Sequence, residues 1–194
     1  MKKITLCVLT LLFAIGLSAQ THFGIKGGLN YHRMKIKEVN LKTDNSTGWH
    51  AGVLLQAKLP FGLAFQPEVL YSVRSFEYYP LSLSGNKAPK LNFNYIEVPI
   101  NIQWGIDLIL LRPFVMASPY FSYLLSVNDK KNDWKGFNNV DYGLGLGAGL
   151  DLWMLQVTAK YNWGFGTLGN ANSGDIKIND GTFKGLQLSV GILF

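Results

Sequence analysis

The amino-acid sequence predicts an all-β fold, an eight-stranded antiparallel up-and-down transmembrane β-barrel, and three observations carry that reading. Apolar and polar residues alternate with a period of two along eight separate segments. The connections between those segments alternate strictly between long and short. The segment from Val140 to Leu152 places Val, Tyr, Leu and Ala on one face and only Gly and Asp on the other. A soluble sheet turns bulky polar side chains to water, and this face has almost none to offer. A narrow barrel that meets lipid with its apolar side accounts for the pattern.

The segments run Thr21–Met34, Gly48–Leu59, Leu63–Phe76, Asn92–Trp104, Leu111–Val127, Asn139–Leu152, Met154–Phe165 and Phe183–Phe194. Each is long enough for a tilted membrane-crossing strand, which needs about 9–11 residues. In the first, Phe23, Ile25, Leu29 and Tyr31 share one face and Gly24, Lys26, Gly28, Asn30 and His32 the other. In the second, Trp49, Ala51, Val53 and Leu55 oppose His50, Gly52, Gln56 and Lys58, with Leu54 out of pattern. The fourth sets Ile96, Val98, Ile100, Ile102 and Trp104 against Tyr95, Glu97, Asn101 and Gln103, and the last sets Leu186, Leu188, Val190, Ile192 and Phe194 against Gln187, Ser189, Gly191 and Leu193. The third, fifth and seventh contribute Glu68, Arg74, Arg112 and Lys160 to the polar face.

Long connections run Lys35–Thr47, Glu77–Leu91, Asn128–Asn138 and Gly166–Thr182, rich in Asn, Asp, Lys, Ser and Gly. Short ones sit at Pro60-Phe61-Gly62, near Gly105–Leu110 and around Trp153. Outer-membrane barrels have short periplasmic turns and long external loops, and an even strand number returns both termini to the periplasm.

The N-terminus reads as a secretory signal peptide: Lys2 and Lys3, an apolar run from Ile4 to Leu17, then Ser18-Ala19 as the cut site. Residues 1–19 form this cleaved segment and residues 20–194 one barrel domain, with a cut after Ser18 as the alternative. The single cysteine, Cys7, lies inside the signal, so stability must come from the sheet and not from disulfides. Charged residues make up 15% against 48% hydrophobic, with 21 glycines, a balance that disfavours a soluble domain. The net charge of +6 falls to near +4 without Lys2 and Lys3. An exported chain lacking a basic stripe is not a nucleic-acid binder, and an anionic membrane surface is the expected counterpart.

An eight-stranded barrel has an interior just wide enough for side chains, so the bulky apolar set must face outward. Two aromatic girdles are expected: Tyr31, Trp49, Tyr142, Trp163 and Phe165 at the external ends, and Phe23, Phe61, Trp104, Trp153 and Phe194 at the periplasmic ends. The lumen receives Lys26, Lys58, Arg74, Arg112 and Lys160 with Glu68, Glu97, Asp141 and Asp151. Isolated charges there are costly, so the phase predicts pairing into a polar plug, with inward glycines making room for Lys and Arg stems from the opposite wall. An ion or small-solute pore with exchanging pairs is the alternative. His32 and His50 flank the first long loop and are expected as a rim pair close across the hairpin. A lipid-modifying enzyme would need a Ser or carboxylate beside them, and a metal a third ligand that the spacing does not supply. No catalytic residue, metal or cofactor is expected. Arg33, Lys35, Lys37 and Lys42, against Glu38 and Asp44, make the first loop a candidate surface for lipopolysaccharide or an acidic protein partner.

Phe23-Gly24-Ile25-Lys26-Gly27-Gly28-Leu29-Asn30, Tyr95-Ile96-Glu97-Val98-Pro99-Ile100, Arg112-Pro113-Phe114 and the terminal Phe194, in that order, resemble the PorT-like outer-membrane β-barrel family. The resemblance implies an eight-stranded barrel in a Gram-negative outer membrane and a C-terminal aromatic strand recognised by the barrel-assembly machinery. Named members are linked to a protein-secretion apparatus, and no catalytic motif carries over. Glu97 and Pro99 read as structural marks, an inward carboxylate and a ladder interruption beside it. The expected function is a non-enzymatic barrel with an accessory, structural or surface-binding role exerted through its loops.

Overall fold

The computed structural model describes residues 20–35, 41–80, 90–128, 139–166, 171–173, 176–178 and 182–194, with side chains over 21–31, 47–75, 92–127, 139–166 and 184–194. The signal-peptide assignment to residues 1–19 lies outside the described residues. Ten strands follow in chain order: β1 Gln20–Lys35, β2 Leu41–Lys58, β3 Leu63–Pro80, β4 Lys90–Gly105, β5 Arg112–Asn128, β6 Val140–Leu152, β7 Leu155–Gly164, β8 Ala171–Ser173, β9 Ile176–Ile178 and β10 Thr182–Leu193. Eight of them close an antiparallel barrel in the order β1-β10-β7-β6-β5-β4-β3-β2, and β8 and β9 pair as a separate short hairpin.

The register fixes the shape of the barrel. Following paired residues round the wall from Gln20 through Lys58, Ala64, Gln103, Met116, Gly147, Lys160 and Gln187 leads back to β1 at Asn30, ten residues beyond the start. That stagger over eight strands tilts them by about 40° and leaves a lumen that side chains fill. Gln20, Phe194 and the three tight connections lie at one end, the turn end, and the long connections at the other, the loop end.

Two strands exceed their predicted bounds. β2 begins at Leu41 and β3 continues to Pro80, so Lys42 and Asp44, expected in a loop, pair through the backbone with Tyr79 and Glu77. Beyond the lipid neither face must be apolar, so the ladder continues where the alternation carries no signal. A register shift between Asn45 and Trp49 separates this extension from the barrel wall. The β8–β9 hairpin was also unpredicted, because three-residue strands are too short to show a period. Prolines interrupt the ladder as read from Pro99. β3 and β4 pair at Pro67–Ile100 and next at Leu70–Glu97, and β4 and β5 pair at Pro99–Tyr120 and next at Ile102–Ala117.

The inward glycines of β6 are occupied differently from expectation. A Cβ at Gly143 would lie 2.6 Å from the Tyr120 hydroxyl, at Gly145 2.8 Å from Lys160 Cδ, at Gly147 2.9 Å from Met116 Cε, and at Gly149 2.4 Å from Phe114 Cζ. The space goes to aromatic, Met and Lys side chains of the flanking strands β5 and β7, not to cations from the opposite wall. Cross-strand neighbours sit only about 4.5–5.5 Å apart, so a bare strand is first filled from beside it. The lumen therefore also holds buried Leu54, Leu70, Phe93, Tyr95, Phe114, Met116, Tyr120 and Leu193.

Outside, the wall is apolar. Trp49 packs on Tyr71 with ring centroids 5.6 Å apart and Tyr161 on Trp163 at 4.7 Å, in an aromatic row toward the loop end that includes Tyr31, Phe121 and Tyr142. Gly149→Val should lower stability by about 1–3 kcal/mol in urea unfolding from lipid vesicles, because the added methyls collide with Phe114. Leu146→Val, on the exposed outer face, should change it by no more than about 0.5 kcal/mol.

Candidate functional site: the closed lumen

Alternation on eight strands sends one residue in two inward, and the stagger stacks these residues in three layers along the barrel axis. Nearest the turn end is a layer of amides. Gln56, Gln66, Gln103 and Gln156 are all fully buried. Gln66 Oε1 accepts from Gln56 (3.1 Å), Gln103 (2.9 Å) and Gln156 (3.0 Å). Gln156 Nε2 also donates to Asp151 Oδ1 at 2.8 Å. Asp151 in turn takes Arg112 Nη1 at 3.1 Å, while Arg112 Nη2 donates to the Gly62 carbonyl at 3.0 Å and ties the layer to the β2–β3 turn.

The middle layer is built on Glu68. Its Oε1 accepts from Lys26 Nζ (2.6 Å), Gln66 Nε2 (2.7 Å) and Asn101 Nδ2 (2.7 Å). Asn101 Oδ1 accepts the Ser118 hydroxyl at 2.6 Å, and Ser118 Oγ accepts from Lys160 Nζ at 3.2 Å. Nearest the loop end, Arg74 clamps two carboxylates, Nη2 to Glu97 Oε2 at 2.8 Å and Nη1 to Asp141 Oδ2 at 2.7 Å, and Nη2 also reaches Ser122 Oγ at 3.3 Å. The guanidinium lies 4.6 Å from the Tyr95 ring centroid and 5.9 Å from that of Tyr120. Charge-assisted bonds to two acids with aromatic rings alongside make this a rigid constriction.

The nine predicted lumen charges do not all pair. Lys26, Arg74 and Arg112 hold Glu68, Glu97, Asp141 and Asp151. Lys160 is buried but, among the described residues, bonds Ser118 and no carboxylate. Lys58 is half-buried at the turn-end rim and makes no ion pair among the described residues. The reason is register: phase alone says which side chains face inward, and only the stagger says which share a level.

The histidine rim pair is corrected. Backbone pairing sets His50 opposite Gly28 and His32 opposite Ser46, four residues apart along the ladder. His50 is 1% exposed. Its Nδ1 donates to Asn30 Oδ1 at 2.9 Å and its Nε2 accepts from Ser189 Oγ at 2.9 Å, so one ring proton satisfies both nitrogens. Asn30, His50 and Ser189 stand in the order of an orienting amide, a base and a hydroxyl nucleophile. Ser189, however, points into the lumen between the amide layer and the Arg74 clamp, away from lipid. The His32 side chain and those of the predicted loop cations Arg33, Lys35, Lys37 and Lys42 lie outside the described residues. Among the described residues no group of three His, Cys, Asp or Glu side chains is placed to hold a metal.

The amide layer, Ser189 and the Tyr95–Tyr120 rings were missed as site residues. The available signal was that inward positions near the turn-side strand ends repeat Gln, at 56, 66, 103 and 156.

An eight-stranded wall, apolar outside and polar inside, invites comparison with known membrane barrels. The model of the outer membrane protein beta-barrel domain matches residues 18–169, more than three-quarters of the chain. The chain belongs to this family. Its place is accordingly the outer membrane. No curated protein matches the sequence. Among solved structures, OprG of Pseudomonas aeruginosa is similar with a TM-score of 0.58 at 8% identity, over 91% of this chain and 97% of that one. Neisserial surface protein A has a TM-score of 0.46 at 14% identity over 89% and 97%, and Escherichia coli outer membrane protein W 0.43 at 11% over 89% and 97%. At 8% identity the likeness to OprG is one of fold.

Glu68→Gln should cost about 3–5 kcal/mol in unfolding from vesicles, since it leaves the buried Lys26 ammonium without its counter-ion. The double variant Lys26→Met/Glu68→Gln should recover part of that loss, and equal loss in single and double variants would show that the pair is not the source. Gln66→Leu should cost about 1–3 kcal/mol by removing the acceptor that Gln56, Gln103 and Gln156 share.

Proposed function

We propose that this protein is a non-enzymatic outer-membrane barrel with a plugged lumen, a rigid scaffold that presents its loop end to the cell exterior for an accessory, structural or surface-binding role. The observation that carries this reading is closure at two levels, by the glutamine layer at one end and by Arg74 with Glu97, Asp141 and the two tyrosines at the other. A lumen so filled leaves the loops as the variable surface. In this reading both termini are periplasmic, since the short turns share their end of the barrel. The quoted sequence blocks and terminal Phe194 support a place among PorT-like members and handling by the barrel-assembly machinery. Nucleic acid is not a partner in this reading.

Arg33, Lys35, Lys37 and Lys42 outnumber Glu38 and Asp44 in and beside the first loop, which suits lipopolysaccharide or an acidic protein. Replacing the four cations with Gln should weaken attachment to lipopolysaccharide-containing vesicles and flatten its salt dependence. Unchanged binding would remove this surface from consideration.

A second reading, a gated pore, draws on the middle layer. Lys160 lacks a carboxylate partner among the described residues, while Glu68 Oε2 and Glu97 Oε1 lack a hydrogen-bond partner there. The spare donor and acceptors would let pairs exchange. Planar-bilayer recording separates the two readings: the plugged barrel is silent across voltage, and a combined Gln66→Ala/Arg74→Ala variant, with both constrictions removed, conducts. Steps in the wild-type protein would favour the pore. Lack of acyl-hydrolase activity, and no labelling of Ser189 by a fluorophosphonate, are the outcomes expected of a lumen-facing serine.

A further inference from the structure

Seven of the eight junctions in the barrel wall join strands that are consecutive within the barrel, and the eighth, β1 with β10, joins its first strand to its last. No turn holds that seam. Its backbone ladder runs from Gly24 opposite Leu193 to Lys35 opposite Thr182. Inward side chains add little along most of it. Of the four inward pairs between Gly24 and Asn30, three contain a glycine: Gly24 with Leu193, Lys26 with Gly191 and Gly28 with Ser189. On the outer side a depression of about 690 Å³ borders the seam at Gly28, Leu29, Leu188 and Val190 and reaches Ala148 and Ala159. Lipid chains are as apolar as the Leu and Val side chains there, so outward contacts across the seam bring little net gain.

One polar cluster crosses the seam from strand to strand. His50 stands on β2, with β1 between it and β10, yet its Nε2 accepts from Ser189 Oγ at 2.9 Å. The ring reaches that far because β1 offers only Gly28 beneath it, where a Cβ would lie 2.6 Å from His50 Cε1. His50 Nδ1 donates to Asn30 Oδ1 at 2.9 Å, and the same oxygen accepts from Gln187 Nε2 of β10 at 3.2 Å. Asn30 Nδ2 donates to the Trp49 carbonyl of β2 at 3.2 Å and to Ser72 Oγ of β3 at 3.0 Å. With its amide nitrogen so engaged, Asn30 offers His50 an acceptor alone. The ring proton therefore sits on Nδ1, and Nε2 is left to accept from Ser189. Asn30, His50, Gln187 and Ser189 are all buried, where a satisfied hydrogen bond is strong and a broken one costly.

We propose that His50 is the latch of the barrel seam: lying across Gly28, it locks the first hairpin, β1 and β2, onto the last strand through Ser189, with Asn30 fixing its tautomer. The latch holds β1 and β10 against local opening, in which one strand pair parts while the rest of the fold stays closed. It gives the Asn30–His50–Ser189 row a positioning role in place of the nucleophilic one that its order suggests. The proposal goes beyond the plugged scaffold and stands whether or not the lumen conducts.

The test reads amide hydrogen exchange by nuclear magnetic resonance on the full chain folded into phosphatidylcholine nanodiscs, comparing wild type, Ser189→Ala, His50→Leu and the double variant. Seam amides are those of Gly27 to Asn30 and Gln187 to Val190, and the reference amides are those of Ile102 to Trp104 and Val115 to Ala117 in the β4–β5 ladder. The latch predicts seam exchange about five- to ten-fold faster in each single variant, the factor set by loss of one buried hydrogen bond, with the reference amides unchanged. The double variant should exchange no faster than His50→Leu, because both substitutions remove the same bond. Unchanged seam exchange in the single variants overturns the proposal, as does equal acceleration of the reference amides or a double variant that sums the two effects. Ser189→Ala removes a single oxygen and carries the test where His50→Leu does not assemble. A conducting wild-type barrel would overturn the plugged scaffold while leaving the latch untouched.

Discussion

Closure of the hydrogen-bonded ladder with a stagger of ten residues is the constraint on which the rest of this protein depends. In hydrocarbon no water satisfies backbone groups, so the strands must pair all the way round. Once eight strands close with that stagger, the radius is set and the lumen has a fixed volume. Each inward side chain then competes for the same space. A run of glycines on β6 is the complement of Phe114, Met116 and Tyr120 on β5 and Lys160 on β7, and neither wall fits without the other.

A confined lumen also dictates its chemistry. A buried charge is tolerated when its partners approach closely and its remaining valences are used. Glu68 has three donors on one oxygen while its other oxygen has no hydrogen-bond partner among the described residues, and Arg74 has two acids, a serine and two aromatic faces. Toward the turn end the protein uses amides, which donate and accept at once and so knit a cross-section together, with the Arg112–Asp151 ion pair beside them. The outcome is a barrel with a hydrogen-bonded polar interior and an apolar outer wall.

Much of this was legible in the sequence. Period-two alternation marked each barrel strand to within a few residues except where β2 and β3 run on beyond the lipid, because alternation follows only where one face must be apolar. Inward phase picked out Lys26, Arg74, Arg112 and their acids, all of which are buried. Phase did not say that Lys160 would face a serine, that Lys58 would stop at the rim, or that His50 would be bound by Asn30 and Ser189, 20 and 139 residues away in sequence. Those outcomes depend on register, which is a property of strand pairs.

Local chemistry therefore determined the strands, their orientation and the sign of each face, since a residue's preference for lipid or lumen is its own. Which inward residues meet was decided only by the closed barrel. The stagger moves every strand axially past its neighbour, and a shift of two residues would leave each phase intact while exchanging every partner in the lumen.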